Sequence, residues 1–299
     1  MDKIKIGIVG TGFISDFHFN GFKKNPNAEV VGITRDYYGD DKSIQKQKNN
    51  LLKKSEEFNI KLFENFEEMI SSNLIDALVI ASINPLHYNQ IKLAIDFNKP
   101  VLVEKPLLTN LDELEKIQEL CNEKNFKLFP GHNFVYRKSV QLAKKVIEEG
   151  NLGEIIHSSF VSTHTIPEEH AFGWRSKKSL SFGGALMDSG HHLVYQSLFL
   201  LGKPKKIHGF VSNKVLHNMD GEDLAQISMV YPDNSIAFLM QSWTTNHSGI
   251  LNGINIMGTD GSLSITDGLY FNGKKIDNDF DYKNSFVNQA NAFTDFILF

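Results

Sequence analysis

A lysine and an aspartate–histidine pair are the side chains of this sequence whose types and spacing best suit proton transfer. Asp188 and His192 are four residues apart in GGALMDSGHH, so a helix over residues 184–201 would place both on one face. A carboxylate beside an imidazole can fix its tautomer and raise its basicity. Lys105 ends a predicted strand in VEKP, where Pro106 restricts it to an extended backbone. We predict Lys105, Asp188 and His192 as catalytic residues that exchange a proton with a substrate hydroxyl or carbonyl.

Each of these residues also has a plainer interpretation. Lys105 could be a surface lysine, and Asp188 with His192 could be an ordinary pair on a helix surface. The pair could also supply two ligands to a metal ion, as in a metal hydrolase, but no third ligand follows at helical spacing. Hydride transfer needs no metal. We therefore predict no metal site.

A glycine-rich turn near the start of the chain could hold the phosphates of a dinucleotide. In GIVGTGFIS, Gly10 would permit the tight turn and Gly12 would let the backbone approach a pyrophosphate. Phe13 and Ile14 would then begin the helix whose N-terminus faces the phosphates. The third small position is Ser15, a mild departure from the usual glycine or alanine. The position of the motif between a predicted strand and a predicted helix favours a cofactor site over an ordinary turn.

The residues at the end of the second predicted strand bear on which dinucleotide binds. An acidic residue that holds the ribose 2′-hydroxyl of NAD is expected there, but the sequence has Thr34 followed by Arg35. A hydroxyl beside a guanidinium suits a 2′-phosphate. We therefore predict NADP in preference to NAD. In the alternative, Arg35 is a solvated loop residue and Asp36 binds the ribose.

Two further motifs lie at the ends of later predicted strands, where open parallel sheets bind their ligands. One is SINPLH, which contains Ser82, Asn84 and His87, and the other is VEKP, which contains Glu104 and Lys105. We predict that these residues contact the cofactor.

The hydrophobic pattern changes once along the chain. Up to about residue 130, short apolar runs alternate with helical patterns, which is typical of a parallel sheet covered by helices on both faces. After residue 135, strands with alternating polarity and turn signals predominate, which is typical of a mainly antiparallel sheet. We predict an α/β protein with a doubly wound Rossmann domain at residues 1–130. Residues 131–299 are predicted to form an α+β domain with a large open sheet for substrate binding and oligomerisation.

The predicted elements follow from these patterns. Strands are predicted at residues 4–9, 29–34, 61–63, 76–81, 101–104, 127–129, 155–165, 206–213, 225–231, 235–243 and 253–257. Helices are predicted at residues 13–24, within 41–59, and at 66–72, 85–98, 111–124, 139–149, 184–201 and 285–299. The last pattern stops on the apolar Phe299 without a capping signal, so we expect a truncated C-terminus.

The composition excludes several classes of partner. The 299 residues carry a formal net charge of −4, which gives no electrostatic reason to expect nucleic acid or an anionic membrane. No apolar run approaches the ~20 residues of a membrane span, and no signal peptide is recognisable. Cys121 is the single cysteine, which fits a reducing cytoplasm. We expect a cytoplasmic protein with a small-molecule substrate.

In their order along the chain, these motifs resemble those of the Gfo/Idh/MocA oxidoreductases, the family of glucose–fructose oxidoreductase and inositol dehydrogenase. The resemblance rests on GIVGTGFIS with His18, IASINPLHYNQIKLAI, VLVEKPL, Trp174-Arg175 and GGALMDSGHHLV, and it covers residues 4–202. The chain departs from the family pattern at Ser82, where threonine is usual, and at Tyr195, where an aspartate often follows the histidine. Family members also usually extend beyond the point where this sequence stops.

The resemblance implies an activity. It implies oxidation of a secondary hydroxyl of a sugar, inositol or related polyol by NAD(P), or reduction of the matching ketone, with Lys105, Asp188 and His192 as catalytic residues. It places Trp174 and Arg175 near cofactor and substrate, and it implies a homodimer or homotetramer that pairs through the C-terminal sheet. The alternative is a non-catalytic NAD(P)-binding sensor on the same fold. A complete proton-transfer set disfavours that alternative.

Overall fold

The computed structural model describes residues 2–166, 173–244, 252–278 and 281–299. The chain divides into two compact units, of which the first contains residues 1–133 and 283–299 and the second contains residues 134–282. The first unit is therefore discontinuous in sequence. We predicted that everything after residue 130 forms one domain, whereas the final segment belongs with the first unit.

The first unit is built on a six-stranded parallel sheet in the order β3-β2-β1-β4-β5-β6. Its strands are β1 (Ile4–Val9), β2 (Ala28–Thr34), β3 (Lys61–Leu62), β4 (Ala77–Ile80), β5 (Val101–Glu104) and β6 (Leu128–Gly131). The helices between them are α1 (Phe13–Lys23), α2 (Asp41–Phe58), α3 (Phe66–Ser71), α4 (His87–Asp96) and α5 (Leu111–Lys124). The strand order reverses direction at β1 and β4, and ligands of doubly wound sheets bind at the carboxyl ends of strands at such a point. The predicted Rossmann architecture is confirmed.

The sequence explains why these strands are central. Every residue of β4 (ALVI) and β5 (VLVE) is buried, as expected for strands covered on both faces. One apolar layer contains Met69, Ile91 and Ile117 from α3, α4 and α5. The layer on the other face contains Phe22 and Leu51 from α1 and α2.

Side-chain caps fix where several of these helices begin and end. The side chains of Asp40, Asn65 and Asn110 accept backbone N–H groups at the starts of α2, α3 and α5. Asn59 and Asn125 adopt the left-handed conformation that ends α2 and α5. These polar residues therefore set the limits of α2 and α5.

The second unit contains an eight-stranded sheet in the order β14-β13-β12-β11-β7-β10-β9-β8. Its strands are β7 (Ile155–Thr163), β8 (Lys206–Ser212), β9 (Leu224–Val230), β10 (Ile236–Ser242), β11 (Gly253–Gly258), β12 (Ser262–Ile265), β13 (Leu269–Phe271) and β14 (Lys274–Asp277). Strands β7 and β10 pair in parallel, and the other neighbouring strands pair antiparallel. The mainly antiparallel sheet is confirmed.

Helices cover one face of this sheet. They are α6 (Lys138–Glu148) and α8 (His191–Leu201), and a π-helical turn, Leu186–Gly190, leads directly into α8. A short helix, α7 (Lys178–Ser181), precedes that turn. Val140 from α6 and Leu193 and Leu200 from α8 pack in one core with sheet residues such as Phe160 and Leu239. The predicted helix over residues 184–201 is thus a π turn followed by a regular α-helix.

The strands β12 to β14 were not predicted as separate elements. Turns at residues 258–261 and 272–273 separate them, and each strand has only three or four residues. So short a run contains too few positions for an alternating pattern to be distinguished from a loop.

The final helix, α9 (Tyr282–Leu298), packs on the first unit. Phe293 is fully buried and contacts Phe22 at 6.3 Å and Phe129 at 5.5 Å between ring centroids. Asn25 donates a hydrogen bond to Asn291 at 2.8 Å. The apolar face of α9 therefore completes the layer that α1 and α2 begin.

Candidate functional site

The glycine-rich turn joins β1 to α1 with backbone geometry that requires glycine at Gly10. Gly10 has a φ of +119°, and a Cβ atom there would lie 2.7 Å from the carbonyl carbon of Ala81. At Gly12, a Cβ would meet no neighbouring group within 4 Å, so open space lies over the backbone at the start of α1. The buried Ser15 donates its hydroxyl to the carbonyl of Gly12 at 2.5 Å. A tight turn, accessible backbone and a helix N-terminus are what a pyrophosphate site needs, so the residues present fit a dinucleotide.

The first two residues of α1 differ in exposure. Phe13 is 69% exposed and meets Phe17 edge-on, with ring centroids 4.9 Å apart. Ile14 is half-buried and packs against the apolar layer beneath α1. Both were predicted to contact the cofactor, and of the two only Phe13 is exposed beside the turn.

Thr34 and Arg35, predicted as a pair that reads a 2′-phosphate, have different roles. Thr34 is fully buried, and its hydroxyl donates to the carbonyl of Phe63 at 3.0 Å. Since that hydroxyl is buried and hydrogen-bonded to Phe63, the structure does not support a contact of Thr34 with the cofactor. Arg35 faces outward, donates from Nη1 to the hydroxyl of Thr11 at 2.7 Å, and lies over the ring of Tyr38 at 5.6 Å.

A basic cavity of about 500 Å³ opens beside Arg35 at the end of β2. Its lining residues are Arg35, Tyr38, Lys46, Gln47, Asn49, Asn50 and Lys53. Asn50 of α2 donates to the backbone carbonyl of Thr11 at 2.9 Å, which connects the cavity wall to the glycine-rich turn. Its lining contains three cationic side chains and no carboxylate, so it suits an anionic group. Sequence reasoning missed the contribution of α2, although its run of lysines was the available signal.

A hydrogen-bonded chain links the ends of β2 and β4. Gln90 of α4 donates to Asp36 at 2.6 Å and accepts from the hydroxyl of Ser82 at 2.6 Å. Burial raises the pKa of Asp36, and the hydrogen bond from Gln90 opposes that effect. Asn84 begins a single 3-10 turn just beyond Ser82 and is half-buried. Contact of Ser82 or Asn84 with a cofactor stays a prediction.

Lys105 follows the last residue of β5, and its peptide bond to Pro106 is cis. The side chain of Glu104 bends back so that Oε2 accepts the backbone N–H of Lys105 at 3.1 Å. Burial alone would raise the pKa of Glu104, but the hydrogen bond and charge of His18, with the charge of Lys105, hold that pKa below its ordinary value. A buried, ionised carboxylate therefore lies directly beside the candidate catalytic lysine.

His87 is fully buried, although we predicted that it contacts the cofactor. Its Nδ1 lies 3.1 Å from the carbonyl oxygen of Pro106 and 3.2 Å from that of Leu107, and its Nε2 lies 3.2 Å from that of Ser82. Burial lowers the pKa of His87, while the three carbonyls oppose that effect. The imidazole therefore joins the loops after β4 and β5 and fixes the segment that follows Lys105.

Asp188 lies in the π turn before α8, where its carboxylate pairs with Arg175. The distance from Arg175 Nε to Asp188 Oδ2 is 2.7 Å, and both side chains are partly exposed. Arg175 belongs to a 3-10 turn, Trp174–Ser176, while the side chain of Trp174 lies outside the described residues. Two predicted site residues from separate motifs are thus brought together.

His192, at the start of α8, is oriented by Tyr195. His192 Nδ1 lies 2.6 Å from the Tyr195 hydroxyl, and its ring stacks on Phe134 at a centroid distance of 4.2 Å. The buried Tyr195 hydroxyl also accepts the backbone N–H of Phe134 at 3.1 Å. We predicted that Asp188 orients this imidazole or binds a substrate hydroxyl. The hydroxyl at Nδ1 comes from Tyr195, the position where the sequence departs from the pattern of its resemblance.

Other groups in the second unit fix the backbone of this segment. The Glu222 carboxylate accepts the backbone N–H groups of Gly184 at 3.0 Å and Leu186 at 2.9 Å. Trp243 donates from its indole to the hydroxyl of Ser189 at 2.8 Å. These contacts hold the π turn from both sides, and nothing in the local sequence pattern predicted them.

His164, directly after β7, was not among the predicted site residues. Burial lowers its pKa, and the charge of Asp188 acts in the opposite direction. Asp188 therefore has a second titratable group within electrostatic reach.

Two kinds of feature do not occur in the parts of the chain that the structure describes. There, no helix is both long and apolar enough to cross a bilayer. In the same residues, no group of three His, Cys, Asp or Glu side chains is arranged to hold a metal ion.

Two family models match consecutive parts of the chain. Residues 4–132 match the model described as an oxidoreductase family with an NAD-binding Rossmann fold, and residues 140–264 match the model of the GFO/IDH/MocA C-terminal domain. The chain belongs to the Gfo/Idh/MocA oxidoreductase family. The resemblance inferred from the motifs is thereby confirmed.

Two relatives with named activities match this chain over part of their own length. An NADP(+) D-xylose 1-dehydrogenase of Haloarcula marismortui is 26% identical over 70% of this chain and 58% of its own length. The scyllo-inositol 2-dehydrogenase (NADP(+)) of Bacillus subtilis is 29% identical over 69% of this chain and 54% of its own length. The matched segments thus span little more than half of these two relatives.

A solved structure supports the fold over nearly the whole chain. A levoglucosan dehydrogenase in complex with NADH and levoglucosan superposes with a TM-score of 0.84 and 20% identity, covering 99% of this chain and 90% of that one. At this identity the likeness shows the fold.

Proposed function

We propose that this Gfo/Idh/MocA chain is an NAD(P)-dependent enzyme that transfers a hydride between nicotinamide and a secondary hydroxyl or ketone of a sugar, inositol or related polyol. The observation that carries the proposal is the turn at Gly10, whose positive φ and close approach to Ala81 leave open backbone at the start of α1. The names of the relatives, which act on D-xylose and scyllo-inositol, support the substrate class. They give no support to a non-catalytic sensor.

We assign separate roles to the candidate catalytic residues. A bound nicotinamide would supply the hydride acceptor or donor. Lys105, at the carboxyl end of β5, polarises the substrate oxygen, and the adjacent Glu104 holds its backbone by accepting its N–H. His192 exchanges the proton, with its ring held by the Tyr195 hydroxyl. Asp188 binds a substrate hydroxyl while Arg175 keeps its carboxylate in place.

We further propose that NADP is preferred to NAD. The basic cavity beside the glycine-rich turn offers Arg35, Lys46 and Lys53 to a 2′-phosphate, while Tyr38 can pack on an adenine ring. We therefore assign to Lys46 and Lys53 of α2 the contact with the 2′-phosphate that was first predicted for the Thr34 hydroxyl. The buried Glu104 and His87 hold the backbone around Lys105 and do not contact the cofactor.

Binding of NADPH and NADH by the purified protein, followed by cofactor fluorescence, tests the cofactor proposal. We expect tighter binding of NADPH. Arg35→Ala and Lys53→Ala should each weaken NADPH binding about tenfold or more and leave NADH binding nearly unchanged, because they remove charge-assisted contacts to the extra phosphate. Lys42→Ala is the matched control, since Lys42 is exposed on the same helix outside the cavity. Equal losses for both cofactors would contradict the phosphate assignment.

A panel of polyols and ketoses, assayed with the preferred cofactor, tests the reaction. We expect turnover of at least one polyol and loss of turnover in Lys105→Ala with cofactor binding retained. A folded protein that binds neither cofactor would refute the dehydrogenase proposal. Cofactor binding without turnover of any polyol, and without an effect of Lys105→Ala in any assay, would favour the sensor.

We also propose a cytoplasmic homodimer or homotetramer. The edge strand β8 exposes Ile207, Phe210 and Val211, each at least 66% accessible. The single cysteine fits a reducing compartment. Light scattering of the purified protein, compared with Phe210→Asp, tests the assembly, and a monomeric parent would overturn it.

A further inference from the structure

A buried hydrogen bond links α1 to the end of β5. The Nε2 atom of His18 lies 2.8 Å from Oε1 of Glu104, and the two residues are 2% and 7% exposed. Because an ionised carboxylate only accepts hydrogen bonds, the His18 nitrogen that faces it carries the proton. Strand β4 lies between β1 and β5 in the sheet, so the bond reaches across a strand from the helix that follows the glycine-rich turn.

Both oxygens of Glu104 are engaged by groups that bear on Lys105. Oε1 accepts from His18, and Oε2 accepts from the backbone N–H of Lys105 at 3.1 Å. The carboxylate can therefore rotate only by breaking one of two hydrogen bonds. Gly131 of β6 packs closely behind it, where a Cβ would lie 3.0 Å from Glu104 Cα.

The helix α9 closes the other side of the pair. The Phe286 ring meets the His18 ring edge-on, at a centroid distance of 5.2 Å and an angle of 88°. Gly21 allows this approach, because a Cβ there would lie 2.8 Å from the carbonyl oxygen of Phe286. Phe17 packs against the same ring at 5.2 Å. Water is thereby kept from the imidazole, which strengthens its interaction with the carboxylate.

We propose that His18 is a positioning residue for the reaction, which holds the Glu104 carboxylate in place so that Glu104 fixes the backbone of Lys105 and stays beside it. The role rests on the proposed function, since Lys105 needs positioning only if it acts on a substrate. The residue lies one turn into the helix that would carry the cofactor phosphates. Cofactor site and proton-transfer lysine are thus connected through one buried bond.

Several groups in the described part of this unit face the charge of Glu104. They are His18 from α1, His87 from α4, Lys105 after β5 and His132 after β6. Burial lowers the pKa of His87 and lowers that of His132 to about 4, so both are neutral in the alkaline range where lysines are labelled. A change in the behaviour of Lys105 in that range therefore reports on His18 and Glu104.

Competitive labelling with acetic anhydride over a range of pH, read out for each lysine by mass spectrometry, tests the proposal without a known substrate. In His18→Leu, the donor to Oε1 is lost and the Glu104 carboxylate can turn away, so Lys105 loses a neighbouring negative charge. We expect the midpoint of Lys105 labelling to fall by about 1 pH unit, as in Glu104→Gln. His18→Gln, whose amide can still donate, should restore much of the midpoint.

Phe22→Leu is the matched control, since Phe22 is buried on the same helix and contacts Phe293 rather than Glu104. It should lower the melting temperature and leave Lys105 labelling unchanged. If His18→Leu behaves like Phe22→Leu, His18 only stabilises the core and the proposal is overturned. Should His18→Leu fail to fold, Glu104→Gln and His18→Asn, whose shorter amide cannot reach Glu104, decide the question by the same readout.

NADPH and NADH binding by the parent protein separates the two proposals. Failure to bind either cofactor refutes the proposed function whatever the labelling shows. Cofactor binding with an unmoved Lys105 midpoint in every His18 and Glu104 variant refutes the positioning role alone.

Discussion

Replacing His132 with glutamine should reduce the sensitivity of the protein to acid. The partly buried His132 follows β6, and burial lowers its pKa from 6.5 to about 4, with attraction to Glu104 opposing the shift. In the unfolded chain the imidazole takes up a proton near its ordinary pKa, whereas in the folded protein it stays neutral until about pH 4. The unfolded state therefore binds more protons between these two values, and stability falls as the pH is lowered through them.

The size of this effect follows from the two pKa values. At about 1.4 kcal/mol for each pKa unit, the difference corresponds to a loss of about 3 kcal/mol on acidification from pH 7 to pH 4. Glutamine at position 132 does not titrate, so this contribution disappears. We expect His132→Gln to lose about 3 kcal/mol less stability than the parent over that range, whatever its stability at pH 7.

Urea unfolding followed by circular dichroism at each pH, from 8 to 4, measures this difference. The decline of stability with pH is compared between parent and variant, and nuclear magnetic resonance of the imidazole protons gives the pKa directly. Parallel declines for the two proteins, or an imidazole that titrates near 6.5, would show that burial does not suppress its protonation.

Further predictions concern the turn, the imidazole of α8 and a buried carboxylate. Gly10→Ala should abolish cofactor binding and lower stability by about 2 kcal/mol or more. Gly12→Ala should weaken cofactor binding and leave stability unchanged, because its Cβ enters open space. Equal shifts of the melting temperature in the two variants would contradict this contrast. Tyr195→Phe removes the hydroxyl at His192 Nδ1, so kcat should fall about tenfold and its pH profile should move while KM changes little. Asp223→Asn should lower the free energy of unfolding in urea by about 1–3 kcal/mol and speed hydrogen exchange at residues 214–216. The reason is that one Asp223 carboxylate oxygen accepts the backbone N–H groups of all three residues. Unchanged hydrogen exchange at these residues would contradict this prediction.

The sheet of the first unit was predictable because its strands are apolar on both faces and its helices carry polar caps. Strand β5 and helix α5 have the limits that the pattern predicted. The pattern could not decide which of Thr34 and Arg35 faces outward, since neighbouring strand residues point to opposite faces and either choice fits the sequence. In the structure, the hydroxyl of Thr34 donates to the carbonyl of Phe63 in the interior. Lys46 and Lys53 of α2 line the basic cavity together with Arg35.

The remaining differences have the same physical origin, which is contact between residues distant in sequence. His87 reaches carbonyls 19 and 20 residues away, and His18 reaches Glu104 across 86 residues. No local periodicity carries that information. The pairing of His192 with Tyr195, by contrast, is a separation of three on one helix and was within reach of sequence reasoning.

The return of α9 to the first unit has a consequence for the order in which the protein can be made. During synthesis, every residue of the second unit emerges before residues 283–299, so it can fold while the nucleotide-binding unit still lacks one of its walls. Until then, Phe22 and Phe129 have no Phe293 to cover them. A fragment that stops at residue 133 would leave this apolar surface open and would be prone to aggregate, and a separately supplied peptide of residues 283–299 should rescue its solubility.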